Sequence, residues 1–257
     1  MTPDSLLALH DAGYRAVREQ LGERAGRVLD VGCGSGFESV RLAGAGRRVL
    51  GVDYDASATA EAARHGRARG LAVARMDSLF LGLVTGAFDF VCSSHVVEHF
   101  EHPEAHVAEV ARVVAPGGTA FFLTPNAPAD FENPFHLHLF GPEELRSLLA
   151  RWFGYVEVHG IDASSEVKED LAARRAKAKR LLALDVLDLR HRVPRSWYVG
   201  AYSRILPLAY RALAPRAAGG ATGITADDWF VTGSIDDTTP VLFGTCRLPG
   251  RTGSRSH

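Results

Sequence analysis

Three alternating glycines, Gly32, Gly34 and Gly36, follow the mostly apolar run Val28-Leu29-Asp30-Val31, and an acid, Asp53, ends the next apolar run. Glycines here let a backbone pass close to a ligand and adopt dihedrals closed to residues with a Cβ. A carboxylate ending the second strand can accept both hydroxyls of a ribose. Together they imply a nucleotide-like cofactor across the carboxyl ends of two parallel strands. A dinucleotide fingerprint would read GxGxxG, whereas position 37 is Phe and Asp30 sits inside the strand. Cys33, Cys92 and Cys246 are odd in number and far apart, and neither CxxC nor HExxH occurs. Cys33 reads as a small apolar packing residue. The paired acids Asp227-Asp228 and Asp236-Asp237 read as solvated loops, so no metal is expected.

The elements that must position these residues alternate in type. Thr2-Pro3-Asp4 reads as an N-cap with Pro at N1, opening a helix to about Leu21. Val28–Val31, Val49–Val52, Ala72–Arg75, Phe88–Ser93 and Thr119–Thr124 read as short buried strands. Helical stretches separate them over Ser35–Ala43, Ala56–Arg69 and Pro103–Val114. Ala115-Pro116-Gly117-Gly118 marks a stop and turn. A helix from Gly141 to about Trp152 and a strand over Tyr155–His159 follow. After Ile161 a helix from Ser164 to about Leu189 and an aromatic, Pro-punctuated segment interrupt the alternation. Strands resume over Asp228–Val231 and Pro240–Leu248. The expected fold is α/β and Rossmann-like: a doubly wound, mostly parallel seven-stranded sheet with an antiparallel last strand and a helical insertion before it. The domain organisation reads as a core over 1–161, an insertion over 162–226, final strands over 227–249 and a disordered tail over 250–257.

Leu29-Asp30-Val31-Gly32-Cys33-Gly34-Ser35-Gly36 resembles the first motif of the class I S-adenosylmethionine-dependent methyltransferases, in particular their small-molecule, type 11-like members. Gly51-Val52-Asp53-Tyr54-Asp55 resembles their second motif, and Met76-Asp77-Ser78 follows the third strand where the family places an acid near adenine. Phe88 through His99 matches the fourth strand and the Glu-His after it. Arg112 through Gly118 resembles the family's Pro-Gly-Gly turn. Thr124-Pro125-Asn126 and Phe135 through Leu145 match further segments. The resemblance implies S-adenosylmethionine as cofactor, bound by Asp30, Gly32, Gly34, Ser35, Gly36, Asp53, Tyr54, Met76, Asp77, Ser78, Ser93 and His95. For Asp30 a second role stays open, hydrogen bonding to loop amides.

Methyl transfer from a sulfonium needs an aligned nucleophile, a dry site and, for a neutral acceptor, removal of a proton. Histidine suits that task near neutral pH. His95, His99, His136 and His138 fall on segments that the fold directs to the carboxyl edge of the sheet. His136 is the first candidate base and matches a histidine recurrent in the resembled subfamily; His95 is the second. His138 would point oppositely if its segment is extended. His99, His138, Trp197 and Tyr202 are secondary candidates for contact with the acceptor.

The 257 residues suffice for one large domain with an insertion. The 29 basic and 30 acidic residues nearly cancel, which gives no electrostatic case for nucleic-acid binding. Ser93-Ser94-His95-Val96 also lacks the Pro-Pro element of a DNA amino-methyltransferase. No apolar run approaches the ~20 residues of a membrane span, and the amino terminus lacks a signal-peptide pattern. A cytoplasmic enzyme is expected, a monomer or a homodimer, transferring methyl groups to a small molecule, first an oxygen of a sugar or secondary metabolite. The alternatives are N- or C-methylation of a small molecule or peptide, or an inactive cofactor-binding module.

Overall fold

After exposed Arg27, β1 (Gly26–Val31) carries one polar side chain, Asp30, among buried Val28, Leu29 and Val31, as suits a strand covered on both faces. The computed structural model describes residues 4–44, 46–130, 135–182 and 223–250. β1 pairs in parallel with β2 (Arg47–Asp53) on one side and β4 (Phe88–Ser94) on the other. β3 (Leu71–Arg75) continues beyond β2, and β5 (Val114–Pro125) beyond β4. β6 (Tyr155–Ala163), β7 (Trp229–Thr232) and β8 (Val241–Arg247) complete the sheet in the order β3-β2-β1-β4-β5-β8-β6-β7. β8 runs antiparallel between β5 and β6, and β7 antiparallel along β6. This is a Rossmann-like, mostly parallel sheet with antiparallel carboxyl-terminal strands.

Successive strand residues point to opposite faces. Val28, Phe90, Phe121 and Phe243 join one core with α1 (Asp4–Leu21) and α5 (Ser165–Leu182). Leu29, Val91, Phe122 and Leu242 join the other with α3 (Pro103–Val113) and α4 (Pro142–Ala150). α2 (Ala56–Gly66) connects β2 to β3. Because β2 and β4 flank β1, the chain leaves β1 and β4 in opposite directions. A crevice opens between their carboxyl ends, the usual ligand position in such sheets. Among the described residues no helix is long and apolar enough to cross a membrane.

Four expectations change. The sheet has eight strands, not seven: Trp229 is buried, which fastens short β7 to the edge at β6. The helix expected over Ser35–Ala43 shrinks to one 3-10 turn, Ser39–Leu42. Gly36 at φ 75° turns the chain out of a helical path, and the Ser39 hydroxyl is spent on Asp30. The turn at Ala115–Gly118 lies inside β5, where the register with β4 shifts between Phe88 and Phe90. A Cβ on Gly118 would come within 2.9 Å of the Asp89 carbonyl, so glycine allows that approach. β6 continues through Ala163, past the end expected at His159, because its last residues pair with β7.

Leu149 of α4 is fully buried and sits directly over Gly244 of β8, where a Cβ would approach its Cδ1 to 2.9 Å. Leu149→Ala is expected to destabilise the fold by roughly 2–5 kcal/mol, read as a lowered denaturant midpoint. An unchanged midpoint would contradict this packing.

Candidate active site

The glycine loop starts by gripping β2: the Gly32 and Cys33 amides donate to the Val52 carbonyl at 2.8 and 3.0 Å. The Asp53 carboxylate then joins two elements, accepting from the Gly34 amide and the Asp55 amide, both at 2.9 Å. Asp55 in turn caps α2 by accepting from the Ala58 amide. Gly32 and Gly34 have φ of 76° and 52°, closed to most other residues. A Cβ on Gly32 would lie 2.3 Å from Val96 Cγ2, so the segment after β4 rests on this loop. A Cβ on Gly34 would meet nothing within 4 Å and would project into open space. Half-buried Asp53, Ser35 and Met76 and exposed Tyr54 and Asp77 complete this side. An open glycine backbone beside a carboxylate and an exposed aromatic ring fits a ribose-bearing, adenine-bearing cofactor.

Two expected cofactor contacts, Asp30 and Ser93, lie elsewhere. Asp30 is fully buried beneath the loop; it accepts from the Tyr14 hydroxyl at 3.0 Å and from the Ser39 hydroxyl. Its carboxylate thus ties α1 to the 3-10 turn through two hydroxyls rather than bonding to loop amides. Ser93 is also fully buried, its hydroxyl 2.8 Å from His106 Nε2. Ser78 gives its carbonyl to His106 Nδ1 at 3.3 Å. Burial pushes His106 down to about 4, so a neutral ring donates to Ser78 and accepts from Ser93. Burial, with Asp30 and Asp53 nearby, pushes the Cys33 thiol up to about 12, which leaves it inert.

The second half of the site follows β4. His95, at φ 55°, donates its amide to the Leu123 carbonyl at 2.8 Å. Its Nδ1 lies 3.4 Å from Oε1 of fully buried Glu98, whose other oxygen accepts from the Thr124 hydroxyl. Burial raises the Glu98 carboxyl, but His95 and His99 beside it more than offset this and hold it below the usual range. The Glu98 carbonyl accepts from the Leu137 and His138 amides, docking the loop after β5 onto this segment. His99 Nδ1 donates to the Phe135 carbonyl at 3.0 Å, and His136 Nδ1 lies 2.8 Å from Asp130 Oδ1. The His99 and His136 rings stand 5.2 Å apart. His138 is separate, 2.8 Å from Glu144.

Sequence reasoning overlooked Asp130, Tyr14 and His10. His10 on α1 packs its ring edge-on to His95 at 4.7 Å, and burial followed by His95 lowers it to about 3. No local pattern marks these partners; an acid six residues before His136 was the only available signal. Trp197 and Tyr202 lie outside the described residues, as does the helix expected beyond Leu182. Of the late paired acids, Asp227 meets Arg15, Asp228 caps the Thr225 turn, and Asp236 organises the turn at Thr238 and Thr239.

Residues 29–122 match the family described as a methyltransferase domain, Methyltransf_11. The ubiquinone biosynthesis O-methyltransferase of Methylococcus capsulatus is 36% identical over 131 residues, covering 49% of this chain and 54% of that protein. The chain thus spans about half the length of the curated relatives it matches. A solved S-adenosylmethionine-dependent methyltransferase from Thermotoga maritima superposes with a TM-score of 0.59 at 15% identity, over 94% of this chain and 90% of that one. The [4+2]-cyclase SpnF superposes with a TM-score of 0.58 at 19% identity, over 93% and 82%. These solved structures establish the fold alone.

Burial pushes Asp30 up to about 7, despite the hydrogen bonds from Ser39 and Tyr14 that favour its charged form. The folded protein therefore keeps a proton that the unfolded chain releases near pH 4. This term is fully present below pH ~4 and is lost as pH rises toward 7, by up to roughly 4 kcal/mol. Urea melts of wild type and Asp30→Asn at pH 4, 5, 6 and 7 are expected to differ by an amount that changes steadily with pH. A pH-independent difference would remove Asp30 from this role.

Proposed function

We propose that this chain, whose residues 29–122 match a methyltransferase domain family, transfers a methyl group from S-adenosylmethionine to an oxygen of a small molecule, such as a sugar or secondary metabolite. The close packing of Val96 on Gly32 carries the reading: it brings the segment with His95, Glu98 and His99 against the cofactor loop. When bound, the cofactor supplies an activated methyl carbon. Asp53 and Tyr54 hold its nucleoside end, the Gly32–Gly36 backbone lies against it, and His95 faces its methionine portion. His136 takes the acceptor proton. Its Nδ1 proton, donated to Asp130, makes Nε2 the basic nitrogen, and the buried carboxylate stabilises the imidazolium that forms. The O-methyltransferase relative supports oxygen as the acceptor atom. The segment 162–226 confers acceptor specificity.

Calorimetric titration with S-adenosylhomocysteine is expected to show saturable binding. Asp53→Ala should weaken it by ~1–3 kcal/mol, the scale for hydrogen bonds to a charged group. No binding by wild type would sink the methyltransferase reading, and an unchanged affinity in the variant would remove Asp53 from the ribose. His136→Ala should lower kcat by ~10²–10⁴-fold while the cofactor dissociation constant holds. Normal turnover would exclude His136 as the base.

A further inference from the structure

Glu98, His99 and His136 offer three ligand atoms within 4.8 Å of one another, the one such group of metal-ligating side chains among the described residues. They come from two separate segments, the turn after β4 and the loop after β5, and no sequence spacing joins them. In each imidazole Nδ1 is engaged by the protein. His99 Nδ1 is held by the Phe135 carbonyl and His136 Nδ1 by the Asp130 carboxylate, which sets Nε2 as the electron-pair donor in both rings. Such outer hydrogen bonds fix the tautomer and raise the basicity of ligating histidines.

The third ligand is unusual on its own account. Glu98 is fully buried, yet its Oε1 makes no hydrogen bond; His95 Nδ1 lies 3.4 Å away. An oxygen held by that one long contact keeps a lone pair for a bound ion.

We propose that Glu98 Oε1, His99 Nε2 and His136 Nε2 form a binding site for a divalent transition-metal ion. Two imidazoles and one carboxylate are the donor set of zinc and its neighbours; calcium and magnesium prefer oxygen alone. Three protein ligands leave a fourth position open to water or an acceptor oxygen. Ligand bonds of about 2.0–2.2 Å require the three side chains to draw together from their present separation. The proposal goes beyond the methyl-transfer reading. Proton removal by the His136 lone pair belongs to the ion-free protein, and the ion, when bound, occupies that lone pair.

The test uses the full chain, without a polyhistidine tag, stripped with a chelator and titrated with Co²⁺, with zinc as competitor. One equivalent should bind, with visible d–d absorption that zinc abolishes. His99→Ala, His136→Ala and Glu98→Gln should each weaken binding at least ~10-fold, and Asp130→Asn by ~10–100-fold, the range for outer-sphere partners. His138→Ala, outside the group, should leave it unchanged. Thermal melts and S-adenosylhomocysteine binding check that each variant is folded, and should Glu98→Gln fail, His99→Ala against His138→Ala decides. Absence of stoichiometric Co²⁺ binding, or equal affinity in wild type and His99→Ala, would overturn the site. Neither result depends on whether the protein transfers methyl groups.

Discussion

The site depends on one close approach. Gly32 has no side chain, and Val96 fills the space that a Cβ would need. This lets the loop leaving β1 and the loop leaving β4 lie against each other, although the chain departs from the two strands in opposite directions. Any larger residue at position 32 would separate them and would also strain a backbone at φ 76°. The glycine loop and the histidine cluster thus form one crevice for a reason of space before any reason of chemistry.

Buried polar groups hold that crevice in shape. Asp30 ties α1 to the loop through Tyr14 and Ser39. His106 of α3 ties Ser93 of β4 to the Ser78 carbonyl. Glu98 links Thr124 of β5 through its side chain and the segment of Leu137 and His138 through its carbonyl. Each pairs groups distant in sequence. Losing one partner would leave a buried group unsatisfied at a cost of about 1–3 kcal/mol. Small shifts of the loops are therefore resisted more strongly than apolar packing alone would resist them.

The same arrangement separates histidines that look alike in sequence. His136 and His138 are two residues apart, yet one joins Asp130 and stands beside His99, while the other joins Glu144 at the start of α4. Which of the two would turn inward was set by the Glu98 carbonyl, which receives this loop. Asp30 shows the opposite outcome: its place in the strand was legible, but the side facing the crevice and the side facing α1 were not.

Strand and helix order, the glycine loop and Asp53 could be read from the chain because each rests on local rules: apolar runs, turn residues and positive φ. The place of Trp229–Thr232 as an eighth strand of the sheet, the loss of a helix after Gly36 and the 12-residue β5 departed from those rules. A neighbouring strand, a buried carboxylate or a close backbone approach decided the backbone in each case. Sequence by itself thus determined the fold class and the kind of cofactor its loop suits. Only the tertiary structure brought Glu98, His99, Asp130 and His136 together, because residues from separate loops meet only where the folded sheet ends and buried hydrogen bonds fix which side chains face one another.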